Sequence, residues 1–224
     1  MSYIDNLPVT LCLTSAGRPD LLRKTLSTLL SHNASSFQDI IIVDDLASAE
    51  CAQVAQTLCP NATLLLNETR LGQHRSVDRM YRRVKTPFIF HCEDDWQFDP
   101  VPVIVDCFKA LLAIRDASGI CVRASDDLSP DGLNTLIGGE LREIEGKQFL
   151  LCSLTAKSIW TGFTFTPNLL RRSLWEEHGP YAKYPGEAAI TKHMKAHGLR
   201  LGRMLHGTCR HIGAGRHVND PFQS

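Results

Sequence analysis

PFIFHCEDD, residues 87–95, is an apolar run that ends in three consecutive acids, Glu93, Asp94 and Asp95. A short apolar run bounded by Pro87 reads as a buried strand, and the change of chemistry at its end places charge at the strand's carboxyl terminus. DIIIVDD (39–45) repeats the pattern and ends in Asp44 and Asp45. VTLCLTS (9–15) and ATLLLNE (62–68) are two further buried strands. Helical patterns separate them. Pro19 opens the first, since proline's missing N–H costs nothing in a first turn, and Leu22, Leu26, Leu29 and Leu30 form its apolar stripe. Residues 48–58 and the Arg-rich 73–84 supply the next two. Strand and helix in regular alternation predict βαβ units around a largely parallel sheet.

In an open α/β sheet, ligands lie beyond the carboxyl ends of the strands, so both acidic clusters face one cleft. Carboxylates gathered at a buried strand end repel one another unless a cation is present. A hard divalent ion, Mg²⁺ or Mn²⁺, takes one or two carboxylates and completes its shell with water and phosphate oxygens, which suits a nucleotide diphosphate ligand. Solvated strand caps are an equal reading for one such cluster. Two in register make that reading the weaker one.

Beyond Asp95, a helix is expected from Asp99-Pro100 with Ile104, Phe108, Leu111 and Leu112 on one face, then a fifth strand at GICVRA (119–124). LREIEGKQFLLCSL predicts a hairpin about Glu145-Gly146, where parallel order gives way to mixed order. FTFTP (163–167), helices over 168–177 and 187–197, and LRLGRML (199–205) precede a Gly- and His-rich tail.

The 224 residues, 43% hydrophobic, suffice for one sizeable α/β core and not for two separate ones. Lys plus Arg and Asp plus Glu both total 24, so the chain lacks the basic field that nucleic-acid binding draws on. No stretch approaches the roughly 18 apolar residues of a membrane span, and the first residues lack a secretory pattern, so a cytoplasmic protein is expected. The eight cysteines form no CxxC pair and lie largely in apolar runs, as reduced core thiols do. The sequons at Asn33, Asn61 and Asn67 then carry no topological meaning.

The order VTLCLTSAGRPDLLRKTLSTLL, DIIIVDD, NETRLGQHRSVDRMYRRVKTPFIFHCEDDW resembles the nucleotide-binding half of family 2 glycosyltransferases, from about residue 8 to 112. The resemblance implies a single GT-A, Rossmann-like domain, α/β with a mostly parallel central sheet and a mixed C-terminal part. Residues of about 8–124 would form the nucleotide-sugar half and about 125–224 the acceptor half with its tail. It implies an inverting, metal-assisted transfer from a nucleotide diphosphate-sugar to an acceptor that is a glycan, a lipid-linked molecule or a protein. Thr14 and Arg18 become strand-end contacts to the nucleotide and Asp45 the partner of its base, with Asp44 beside it. Gln73, Arg75 and Asp78 take the helix start that follows. Glu93-Asp94-Asp95 stands for the D-x-D motif, with Asp95 as metal ligand and Glu93 nearer the ribose; Glu in place of the first Asp is a departure.

In the second half, YPGEAAITKHMKAHGLRLG resembles the stretch where an acid opens a helix near the sugar, which makes Glu187 the candidate general base. A carboxylate is also favoured at any helix start by the dipole, and the family's Glu-Asp pair reads Glu187-Ala188 here. Glu176 and Glu177 are fallback bases. Among the tail histidines His206, His211 and His217, His211 is the candidate additional metal ligand, and no H-x-x-x-H or HExxH spacing for zinc is read beside it. Gly213 and Gly215 suit a lid. Trp96, Trp160 and Trp175 are placed either in the core or against sugar faces. Two alternatives stand beside the leading one. One is a nucleotidyltransferase, although TSAGRPD has a single glycine where those enzymes carry a Gly-rich loop, and the other a non-catalytic protein of the same fold that binds nucleotide or sugar.

Overall fold

The computed structural model describes residues 6–216. Strands β1 (Val9–Ser15), β2 (Asp39–Asp44), β3 (Thr63–Leu66) and β4 (Phe88–Glu93) alternate with helices α1 (Pro19–Asn33), α2 (Ala49–Leu58) and α3 (Gln73–Tyr81). After β4 come β5 (Trp96–Phe98), α4 (Ile104–Ala113), β6 (Ala117–Cys121), the short α5 (Pro130–Leu133), β7 (Glu140–Ile144) and β8 (Lys147–Leu151). The chain continues through β9 (Asn168–Arg171), α6 (Arg172–His178), α7 (Glu187–Ala196), β10 (Arg200–Met204) and β11 (Cys209–His211).

Nine strands form one sheet in the order β3-β2-β1-β4-β9-β6-β10-β8-β7. The four strands at the β3 end are parallel to one another, as expected. β9 runs antiparallel between β4 and β6, β10 is parallel to β6, and the β7–β8 hairpin closes the far side. Glu145 and Gly146 both have positive φ, 48° and 76°, the backbone of a tight two-residue hairpin turn.

The period of two along β1 sends its side chains to two helical layers. Val9, Leu11 and Leu13 pack with Leu22, Leu26 and Leu29 of α1 and with Cys107 and Leu111 of α4. Cys12 packs in a second cluster with Val77 and Met80 of α3 and with Ile190 and Met194 of α7. All eight cysteines are buried free thiols, in keeping with a role as small core residues. Among the described residues no helix is long and apolar enough to cross a membrane.

Three elements differ from expectation. α4 begins at Ile104 and not at Asp99, because 99–103 is held outside the helix while the buried Asn33 accepts from the amides of Val103 (2.8 Å) and Ile104 (3.3 Å). FTFTP forms no strand. The strand lies at Asn168–Arg171, where a helix was expected to begin, and α6 starts only at Arg172. Leu169 and Leu170 pack into opposite core clusters there, so the segment is buried on both faces and its apolar run has no diagnostic period.

Candidate functional site

β1, β2 and β4 end side by side. Thr14 stands in register with Val43 and Glu93, and Ser15 with Asp44. The two acidic clusters are thus neighbours, yet their carboxylates do different work.

Asp44 is fully buried and accepts from the amides of Gly17 (3.1 Å), Leu46 (3.0 Å) and Ser48 (3.0 Å), so it fixes the loops that follow β1 and β2. Asp45 accepts from Asn67 Nδ2 (2.6 Å), Ser76 Oγ (2.8 Å) and the amides of Leu71 (2.8 Å) and Gly72 (2.9 Å). A φ of +79° at Gly72 turns that amide back onto Asp45, a conformation that favours glycine. The turn sets the start of α3. Asp78 lies away from these strand ends: it is buried and receives Trp175 Nε1 (2.7 Å) and the amides of Tyr181 (2.8 Å) and Ala182 (2.8 Å). Each unpaired buried donor costs about 1–3 kcal/mol, so Asp78→Ala is expected to lower stability by about 3 kcal/mol or more. Urea unfolding measures this, and a loss below about 1 kcal/mol would contradict a bracketing role.

The second cluster surrounds Arg18, which precedes α1. Its guanidinium pairs closely with Asp94, reaches Asp95 Oδ2 at 3.0 Å and donates to the carbonyl of Arg216 at 3.0 Å. Burial works against the Arg18 charge, but Asp94 and Asp95 outweigh it and hold the pKa above its ordinary value. Asp94 also accepts from Ser15 Oγ at 2.9 Å, and burial raises its pKa against the opposing pull of Arg18.

Asp95 meets the tail. β11 pairs antiparallel with β5, His211 opposite Trp96, and the Ile212 amide donates to the Asp95 carbonyl at 2.9 Å. His211 Nε2 is 3.3 Å from Asp95 Oδ2, and a Cβ built on Gly213 would lie 2.4 Å from the same oxygen. That close approach admits only glycine at 213. Burial alone would raise the Asp95 pKa, but His211 and Arg18 hold it below the ordinary value. Its other oxygen, Oδ1, is buried without a hydrogen-bond partner. An ionised carboxylate with one orphaned oxygen beside an imidazole is a donor set that suits a divalent cation. Asp95 and His211, expected from sequence as metal ligands, therefore come together.

Glu93 accepts from Gln73 Nε2 at 2.7 Å and from Trp96 Nε1 at 3.2 Å. Burial, then the charges of Asp95 and Glu187, raise its pKa well above the ordinary value. Glu187 opens α7, half-buried, and accepts from the Phe165 amide (2.6 Å) and Trp160 Nε1 (3.3 Å). Burial raises its pKa as well, against those two donors and the nearby His74. Trp96, Trp160 and Trp175 thus each give their indole N–H to a carboxylate.

Arg75 is exposed on α3, and His206 is exposed between β10 and β11. His217 lies outside the described residues. On α6, Glu176 is ion-paired with Arg172 at 3.0 Å and Glu177 stands 3.9 Å from His178. Sequence reasoning passed over His74 and the Trp160–Glu187 contact. His74 carries a signal in hindsight, since it sits directly after Gln73 at the start of α3, whereas nothing in the sequence links Trp160 to Glu187. Trp160 also borders a cavity of about 680 Å³ whose wall includes Asp131, Asn134, Ser153, Thr155 and Lys157.

Comparison with known proteins follows the same lines. The family model for glycosyl transferase family 2 matches residues 10–179. No curated protein matches the chain. Among solved structures, S. aureus TarS superposes with a TM-score of 0.66 at 10% identity, covering 92% of this chain and 37% of that one. The mannosyltransferase PcManGT from Pyrobaculum calidifontis, in complex with GDP-Man and Mn²⁺, gives a TM-score of 0.64 at 14% identity over 95% of this chain and 59% of that one. A TarS fragment in complex with UDP gives 0.62 at 11% identity over 91% of this chain and 60% of the other. At such identities the likeness concerns the fold, and the chain spans less than two thirds of each of these structures.

Proposed function

The chain belongs to glycosyl transferase family 2 and has a GT-A fold, and from that premise we propose that it transfers a sugar from a nucleotide diphosphate-sugar to an acceptor hydroxyl, with inversion and with the help of Mn²⁺ or Mg²⁺. The observation that carries this reading is Asp95, whose Oδ2 faces His211 while its buried Oδ1 has no partner, with Glu93 between the charges of Asp95 and Glu187. Two of the similar structures hold GDP-Man with Mn²⁺ and UDP, which accords with it.

Asp95 and His211 would hold the ion, whose charge, when bound, neutralises the departing diphosphate. Arg18, Thr14, Gln73, Arg75, Glu93 and Asp94 border the donor. Asp44, Asp45 and Asp78 serve it indirectly, by holding the loops and the helix start against which the nucleotide rests. Glu187 takes the proton from the acceptor hydroxyl as that oxygen bonds to the anomeric carbon and the bond to the diphosphate breaks. One displacement on the face opposite the leaving group inverts the configuration. The half before about residue 124 binds the donor, and the later half binds the acceptor. Trp160, which donates to Glu187, also borders the cavity of about 680 Å³, the size of an ordinary ligand site.

A melting screen of nucleotide diphosphates and their sugars with Mn²⁺ tests the proposal, because a ligand that binds only the folded state raises Tm. At least one nucleotide diphosphate-sugar is expected to raise it in a metal-dependent way and, with an acceptor, to release nucleotide diphosphate. A flat response across all donors with Mn²⁺ and Mg²⁺ would overturn it.

A further inference from the structure

His178, at the end of α6, meets His193 in the last turn of α7 and His197, which caps that helix. One nitrogen from each lies within 4.8 Å of the others. The ring centroids are 5.2 Å apart for His178 and His193, 5.0 Å for His178 and His197, and 4.3 Å for His193 and His197. His193 and His197 are four residues apart on one helical face, a spacing that lets two imidazoles ligate one ion. His178, brought by the fold, is the third.

Hydrogen bonding fixes the tautomer of one member of the set. The His193 carbonyl accepts from His197 Nδ1 at 2.9 Å, which leaves His197 Nε2 as the lone-pair nitrogen. His178 Nδ1 faces His193 Nε2 at 3.2 Å. Two facing neutral imidazole nitrogens share a single proton, and an ion bound between them would displace it to the other nitrogen of the same ring. Metal–nitrogen bonds of about 2.0–2.1 Å in a tetrahedral shell put ligand nitrogens about 3.3 Å apart, close to that spacing. On its other side, His178 Nε2 lies 3.9 Å from Glu177, the outer carboxylate that commonly orients a metal-bound imidazole. The His178 carbonyl accepts from Tyr184 Oη at 2.9 Å, and the Tyr184 ring lies 5.3 Å from that of His193. Lys183, the nearby cation, directs its Nζ to the Gly179 carbonyl at 2.9 Å.

We propose that His178, His193 and His197 form a second metal site, for Zn²⁺, distinct from the carboxylate cluster at Asp95. An all-imidazole set selects Zn²⁺, Ni²⁺ or Cu²⁺ over the hard Mg²⁺ and Mn²⁺, so the two sites sort ions by ligand chemistry. Water takes the fourth position, and the ion ties the end of α6 to α7, the helix that begins with Glu187. The site does not depend on the proposed sugar transfer.

The test uses the full chain without a polyhistidine tag, stripped with EDTA and freed of nucleotide, and titrated with Zn²⁺ by calorimetry and by dialysis with metal analysis. One Zn²⁺ per chain is expected in the wild type and in Asp95→Asn. His193→Gln and the more exposed His197→Gln should each weaken it by more than the roughly 10- to 100-fold that follows loss of a ligand's hydrogen-bond partner. Co²⁺ should give the visible absorption of a four-coordinate nitrogen site in the wild type and lose it in both variants. Zn²⁺ uptake that survives both histidine substitutions, is lost only in Asp95→Asn, or is absent from the wild type would overturn the assignment.

Discussion

Glu187→Gln is expected to lower turnover by about 10²- to 10⁴-fold, the range a positioned general base contributes, with donor affinity nearly unchanged. The carboxylate is held by two N–H donors, the Phe165 amide at 2.6 Å and Trp160 Nε1 at 3.3 Å. Glutamine offers one accepting oxygen and must turn its NH₂ toward the other donor, at a cost of about 1–3 kcal/mol in stability. Melting is therefore measured beside turnover, so that a loss of folded protein is not read as a loss of chemistry. The pH profile supplies a second signature. A base acts only when deprotonated, and burial raises the Glu187 pKa. The fall of kcat/KM on acidification should then begin above the ordinary carboxylate range, and it should vanish from the residual rate of the Gln variant. Wild-type turnover in that variant would move the role to another acid, and lost donor binding would assign Glu187 to the sugar pocket.

Asp95→Asn is expected to abolish metal-dependent donor binding while the fold persists. The substitution removes the negative charge at the one carboxylate of the cluster that couples an orphaned buried oxygen to a nearby imidazole. Charge stabilisation of several kcal/mol by a bound ion corresponds to at least about 100-fold in Kd. Calorimetry should find that donor affinity in Mn²⁺ drops to the value that the wild type shows in EDTA, with Tm little changed. Equal wild-type affinity in EDTA and Mn²⁺ would rule out the ion at Asp95.

The strands were legible in the sequence because four apolar runs with helical patterns between them have few other solutions, and Glu145-Gly146 marked its own hairpin. Asn168–Arg171 was not legible: packed on both faces, Leu169 and Leu170 follow neither a helical nor an alternating period. At the site, the acids were visible and their division of labour was not. Asp44 and Asp45 look alike to Asp94 and Asp95 along the chain, yet backbone amides surround the first pair while Arg18 and His211 face the second. Asp78 was expected at the donor from the family resemblance, and its partners at Trp175, Tyr181 and Ala182 come from a segment far away in sequence. The HxxxH pair at 193 and 197 stands in the sequence but was passed over there, and its third imidazole, His178, is a product of the fold.

The pairing of β11 with β5 bears on how the molecule is assembled in time. Arg18, Asp95 and His211 belong to the beginning, the middle and the end of the described chain, and the Gly213 backbone seals Asp95 from the tail side. Contacts between segments so distant carry the largest loop-closure entropy and tend to form after local ones. β1 to β4 can reach their parallel order before Cys209 to Gly213 arrive, and until then Asp95 has the guanidinium of Arg18 as its counter-charge but not the imidazole. The geometry at Asp95 thus rests on contacts between distant segments, and β11, the last strand of the described residues, completes it.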